Sequence, residues 1–204
     1  MRLLLVRHGA AAYWYWRVIG GSKGCSGLTA EGRTQAELLR DRLRLPGVLP
    51  ESAVLLSSPW LRASETALIL EPAFNGATVR HDKDLQEMDP GMSDGLPWDE
   101  HAARYGEFDM IAEPDRPFAP QGESWWMFAI RVRGFFDRVA QEFAGNTVVA
   151  VTHGGFIEAS LLEMFSIPRP GTRARLMPLN AGITEWTFDD AWTLARYNDT
   201  GHLT

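Results

Sequence analysis

Three short apolar runs constrain this chain most, because each breaks off abruptly at polar residues. Leu3-Leu4-Leu5-Val6 stops at Arg7-His8-Gly9, and Ala53-Val54-Leu55-Leu56 stops at Ser57-Ser58-Pro59-Trp60-Leu61-Arg62. Val148-Val149-Ala150-Val151 stops at Thr152-His153-Gly154-Gly155. Unbroken runs of this kind suit strands buried on both faces of a sheet. In open α/β sheets, ligands bind just beyond the carboxyl ends of the strands. The three runs therefore deliver two histidines and two arginines to one edge, where chemistry is expected.

Helical signals lie between the runs. Thr29 can cap a helix whose apolar positions Ala36, Leu39 and Leu43 recur at helical spacing before Pro46. Ser58-Pro59 reads as the opening of a second helix running to about Glu71, with Arg62 in its first turn, a natural seat for an anion. From Glu123, the positions Trp125, Phe128, Val132, Phe136, Val139 and Phe143 make one continuous helical stripe. Phe156 to Phe165 reads as a further helix. A short strand is expected near Thr78-Val79-Arg80, and the β-rich runs 182–188 and 192–197 finish the sheet. Alternation of strands and helices predicts an α/β fold: a mostly parallel central sheet flanked by helices on both faces. No linker divides the chain, so residues 1–204 are expected to form one domain. The acidic, proline- and glycine-bearing segment near 84–122 is expected to be loop-rich and to cover the site.

Composition narrows the function classes. A formal net charge of −6 argues against a nucleic-acid or anionic-membrane surface. Cys25 is the one cysteine, which permits no internal disulfide and favours a reducing compartment. No apolar stretch reaches the ~20 residues of a membrane span, and the first residues lack a signal-peptide pattern. A cytoplasmic protein without nucleic-acid or membrane partners is expected.

The residue types at the edge match the needs of phosphoryl transfer. Charge in that reaction is spread over the phosphoryl oxygens, so positioning and electrostatic stabilisation dominate. Arg7 and Arg62 offer planar paired donors for those oxygens. An imidazole nitrogen can attack phosphorus. A carboxylic acid must protonate the departing alkoxide and then, as carboxylate, activate water. Glu87 is the candidate, with Asp84, Asp89, Asp94, Asp99 and Glu100 as neighbours in the same acidic segment.

Taken in order, these blocks resemble those of the histidine phosphatase superfamily, with its phosphoglycerate mutase-like fold. The resemblance rests on Arg7-His8-Gly9, then Leu28-Thr29-Ala30-Glu31-Gly32 with Gln35-Ala36. It continues through Ser57-Ser58-Pro59 with Arg62-Ala63 and Thr66-Ala67, and Leu85-Gln86-Glu87-Met88-Asp89 with Gly91 and Gly95. It closes with Gly122-Glu123-Ser124, Val151-Thr152-His153-Gly154-Gly155, and Asn198-Asp199-Thr200 with His202-Leu203. The resemblance implies a phosphomonoesterase acting on a small phosphorylated metabolite. His8 is then the nucleophile, Arg7, Arg62 and His153 hold phosphoryl oxygens, and Glu87 is acid and then base. It implies no metal and no cofactor, and Gly9, Trp14, Gly21, Ser22 and Gly154 as substrate-binding positions.

Departures from the family pattern keep alternatives open. Ala10 and Ala11 stand where an acid or amide and a hydroxyl are common, Trp14 where an asparagine is frequent, and Glu158 where an arginine often follows the last glycines. A phosphoglycerate mutase, or a non-catalytic phospho-ligand binding protein on the same fold, are the rival readings. The cation-free stretch between Lys83 and Arg104, and His153-Gly154-Gly155 in place of a mutase-like His-Gly-Asn, favour a phosphatase. Tyr13, Trp14, Tyr15 and Trp16 are expected either to form a substrate platform or to pack into the core or an interface. The aromatic loop and the cation-poor segment point to a monophosphate with an apolar or ring-containing body. A homodimer is left open. His81 and His101 are expected at the surface, and His202 in a structural role.

Overall fold

The computed structural model describes residues 1–14, 16–110, 112–167 and 176–204, apart from the side chain of Trp14. A six-stranded sheet is built from β1 (Arg2–Arg7), β2 (Val54–Ser57), β3 (Arg80–His81), β4 (Thr147–Thr152), β5 (Ile183–Phe188) and β6 (Trp192–Asp199). The strand order is β3-β2-β4-β1-β5-β6, parallel from β3 to β1 and antiparallel for β5 and β6. Around it lie α1 (Ala30–Leu43), α2 (Leu61–Leu70), α3 (Trp98–Tyr105), α4 (Trp125–Glu142) and α5 (Gly154–Met164).

The apolar runs behave as continuous runs should, burying alternate residues on opposite faces. Leu3 and Leu5 of β1 join Val148 and Ala150 of β4 against the α4 stripe and α5. Leu4 and Val6 join Val149, Val151 and Leu55 against Leu39 and Leu43 of α1 and Ala63, Ala67 and Leu70 of α2. At ~1.5–3 kcal/mol for each fully buried side chain, a polar substitution on either face would be costly.

The chain leaves β1 through α1 on one face and leaves β4 through α5 on the other. β1 and β4 are neighbours, so the sheet has its topological switch point between them, where open α/β sheets bind ligands. Register places Arg7 opposite Thr152 and Ser57 opposite Val151. The ladder continues one residue further through His8 N–H to Thr152 O and Ser58 N–H to Val151 O. His8, Ser58 and His153 therefore emerge side by side.

Three expectations need correction. The second helix starts at Leu61, with Trp60 as its N-cap, not at Ser58-Pro59. The Ser58 hydroxyl instead accepts from Trp60 N–H and bonds His153. The 84–122 segment contains a real helix, α3, closed by Gly106 in the left-handed region at φ +79°. His101 lies on α3 and is not at the surface: it is 2% exposed, stacks on Phe118 and bonds the Ser93 hydroxyl. Tyr15 and the Trp14 side chain lie outside the described residues, and Trp16 is exposed. Among the described residues, no helix is long and apolar enough to cross a membrane.

The chain's ending has a structural reason. Asp199 takes both terminal nitrogens of Arg42 on α1, a contact from Arg196 and the Gly201 N–H. The Arg42 bonds hold its carboxyl well below the usual range. His202 faces Arg42 through Nδ1, consistent with the structural role expected of it.

Candidate active site

The site grows from the strand ends. His8 is 2% exposed and His153 fully buried, with ring centroids 5.2 Å apart. His8 Nδ1 lies 2.7 Å from Gly9 O. A carbonyl oxygen only accepts, so we assign the His8 proton to Nδ1, which leaves a lone pair on Nε2. Arg62 Nε donates to that lone pair at 3.0 Å. The backbone is pinned as well: Asn180 Nδ2 donates to His8 O, and Gly9 N–H donates to the Thr66 hydroxyl.

Arg62 is 1% exposed, yet it is a cation. Its NH1 donates to Gly20 O, and its guanidinium lies over the rings of Tyr13 and Trp60 at 4.7 and 5.0 Å. Two aromatic faces thus stand in for some of the lost hydration. Arg7 donates to Pro178 O, while its buried Nε has no partner among the described residues. His153 Nε2 meets the Ser58 hydroxyl at 2.8 Å, and its buried Nδ1 likewise has no partner among the described residues. Buried polar atoms in that state cost ~1–3 kcal/mol each, a cost a site meets to keep them available.

Burial, reinforced by Arg62 and Arg7, puts the His8 pKa well below the ordinary histidine value. Burial, with Arg62 next, does the same to His153. Both imidazoles are therefore neutral at pH 7. In the unfolded chain they protonate below about pH 6.5. Folding stability is thus fully present above that pH and is lost as pH falls, because the unfolded state binds the extra protons. Two such groups are expected to remove about 2 kcal/mol of stability between pH 6.5 and 5.5. Urea unfolding at the two values checks this; a change under about 0.5 kcal/mol would mean that the rings titrate as if solvated.

Glu87 meets the N-terminus of α5: its Oε2 accepts from Gly155 N–H at 2.8 Å, and Oε1 accepts from Met88 N–H at 3.1 Å. A Cβ at Gly155 would overlap Glu87 Oε1, and one at Gly154 would press on Arg7 Nε at 3.3 Å. The paired glycines let the acid and the guanidinium sit directly on the helix end. Arg131 on α4 fixes the Glu87 loop, donating to the carbonyls of Asp84, Gln86 and Glu87 while paired with Glu123. The neighbouring carboxylates are engaged elsewhere. Asp84 pairs with Arg138 and Glu100 with Arg104, while Asp89 and Asp99 accept from Gly91 and Glu100 N–H. Asp94 accepts from Lys23 and Gly24 N–H.

The structure thus brings Arg7, His8, Arg62, His153 and Gly154 to one edge, with Glu87 facing the same cleft as Arg62. Gly9 also lies there, but its N–H is used by Thr66 and a Cβ would collide with the Gly32 backbone. Gly21 and Ser22 are drawn to Asp94 and are absent from the described cleft walls. Sequence reasoning missed Thr66, Arg131 and Asn180 as positioning groups and misread Ser58 as a helix cap.

Two guanidinium groups and two neutral imidazoles at the carboxyl edge of a helix-flanked sheet define an α/β protein that can hold a tetrahedral oxyanion. Residues 3–200 match the model of the histidine phosphatase superfamily (branch 1), and the chain belongs to that superfamily. It is 28% identical to the metal-independent phosphoserine phosphatase of Arabidopsis thaliana, over 98% of this chain and 82% of that one. It is 27% identical to the probable phosphoglycerate mutase GpmB of Yersinia enterocolitica, over 100% and 95% of the two chains. Among solved structures, YhfR of Bacillus stearothermophilus superposes with a TM-score of 0.86 at 25% identity, covering 100% of this chain and 99% of that one. The fold is the phosphoglycerate mutase-like one.

Proposed function

We propose that the protein is a metal-independent phosphomonoesterase that works through a phosphohistidine on His8. The observation that carries this is the placement of His8 Nε2, with Arg62 Nε 3.0 Å from that atom and the His153 ring 5.2 Å from the His8 ring. Substrate draws the Arg62 and Arg7 donors and the His153 ring onto the phosphoryl oxygens, and Nε2 is released to attack phosphorus. Glu87 gives its proton to the departing alkoxide oxygen, so a neutral alcohol leaves. As a carboxylate it then takes a proton from water, whose oxygen attacks the phosphohistidine and frees orthophosphate. The guanidinium pair offsets charge in both steps.

A mutase is less well supported. It would bind a second phosphate, and the described wall of the cleft beside Glu87 carries Arg62 as its one cation. A cytoplasmic setting accords with Cys25, buried and unpaired. The test is hydrolysis of p-nitrophenyl phosphate. Turnover is expected to persist unchanged in excess EDTA. Loss of activity with the chelator and recovery with a divalent cation would contradict the reading.

A further inference from the structure

Ser58 is fully buried and lies one residue beyond β2, where its N–H continues the ladder to Val151 O of β4. His153 follows the end of that neighbouring strand. The two side chains therefore meet, with Ser58 Oγ 2.8 Å from His153 Nε2. The same Oγ accepts from Trp60 N–H at 3.3 Å. Trp60 and His8 each make an edge contact with the His153 ring, with centroids 5.2 Å away, and restrict its rotation.

Counting protons fixes the tautomer. A hydroxyl has one proton to donate, and a neutral imidazole has one N–H and one lone pair. Burial, with Arg62 next, keeps His153 neutral at pH 7. With the ring proton on Nε2, Ser58 Oγ would accept from both Trp60 and His153, and its own proton would find no acceptor among the described residues. The buried Nδ1 would be a second unsatisfied atom. With the ring proton on Nδ1, Ser58 accepts from Trp60 and donates to Nε2, and Nδ1–H alone is left without a partner among the described residues. Buried polar groups without partners are costly, so the second arrangement is favoured.

We propose that Ser58 is a positioning residue: its hydroxyl donates to His153 Nε2 and so holds the His153 proton on Nδ1, where it serves as a donor to a phosphoryl oxygen. The donor role rests on the phosphatase reading; the place of the proton does not. The two imidazoles are then complementary. His8 spends its proton on Gly9 O and presents a lone pair to phosphorus. His153 spends its lone pair on Ser58 and presents an N–H to oxygen. The other His153 tautomer would turn a bare lone pair towards an anion, and one donor aimed at the developing charge would be lost.

Long-range proton–nitrogen correlation spectra of the isotope-labelled wild-type protein at neutral pH report which ring nitrogen is bare. His153 is expected to show a protonated Nδ1 and a bare Nε2. A proton on Nε2 overturns the proposal, whatever the activity of the protein. In Ser58→Ala the Nε2–H form of His153 is expected to appear. The inhibition constant of inorganic phosphate against p-nitrophenyl phosphate hydrolysis should rise about tenfold or more, with a similar fall in kcat/KM. A folded Ser58→Ala protein that loses activity while His153 keeps the wild-type tautomer would make Ser58 a packing residue and overturn the proposal, as would an unchanged inhibition constant. Should the variant fail to fold, the wild-type spectrum still decides. A protonated Nδ1 in a protein that hydrolyses no phosphomonoester would strike the phosphatase reading and the donor role with it, and leave the proton on Nδ1.

Discussion

Replacing His8 with alanine is expected to lower phosphate release from every phosphomonoester by at least about 10³-fold, since the attacking atom itself is removed. The loss should appear with every leaving group, because without Nε2 the variant has no atom to take the phosphoryl group as the alcohol departs. The fold should survive. His8 adds no strand pairing through its side chain, and its two ring bonds, to Gly9 O and Arg62 Nε, are local. Circular dichroism and urea unfolding at pH 7.5 are expected to stay within about 2 kcal/mol of wild type. At pH 5.5 the gap should shrink, because the variant loses one of the two buried imidazoles that the unfolded chain would protonate. Retention of wild-type turnover by a folded His8→Ala protein would remove the nucleophile from the mechanism.

The second large effect belongs to Glu87→Gln, and its signature is selectivity. Glutamine keeps an oxygen that can accept from Gly155 N–H, so the N-terminus of α5 should not rearrange. What it lacks is a transferable proton. For an alkyl ester, kcat/KM should fall by about 10²–10⁴-fold, the range general acid catalysis supplies. For p-nitrophenyl phosphate, whose leaving group departs as a stable anion, the loss in kcat/KM should be roughly tenfold or less. The second step still needs a base, so the variant should release one burst of p-nitrophenol per chain and then slow. Equal losses on both substrates would mean that Glu87 positions the site and does not donate a proton.

These effects follow from features unequally visible in the sequence. The sheet was legible because β1, β2 and β4 are apolar without interruption, and only burial on both faces tolerates that pattern. The α4 stripe was legible for the same reason at helical spacing. Arg7, His8, Arg62 and His153 could be named because strand ends and the first turn of α2 are local properties. Helix α3 was hidden because it is only eight residues long and lies in a segment whose prolines and glycines read as loop. Its Asp99 and Glu100 start and Arg104 end were signals available to the reading. The groups that hold the site in place were out of reach. Asn180 binds a carbonyl 172 residues away, and Arg131 clamps a loop more than 40 residues earlier. Such pairs are created by topology, and no local pattern announces them. Ser58 shows the converse: a residue with good capping chemistry was recruited by His153, and the helix began three residues later.

The central claim is a covalent bond between phosphorus and His8 Nε2, and it can be observed directly. Protein mixed with excess p-nitrophenyl phosphate and quenched within milliseconds should carry one phosphoryl group per chain, labile in acid and stable in alkali. Peptide mass spectrometry of Glu87→Gln, in which the second step is slowed, should place that group on His8. An alkali-labile phosphoryl group, one located on another residue, or steady turnover with no phosphorylated protein at any quench time would contradict the account.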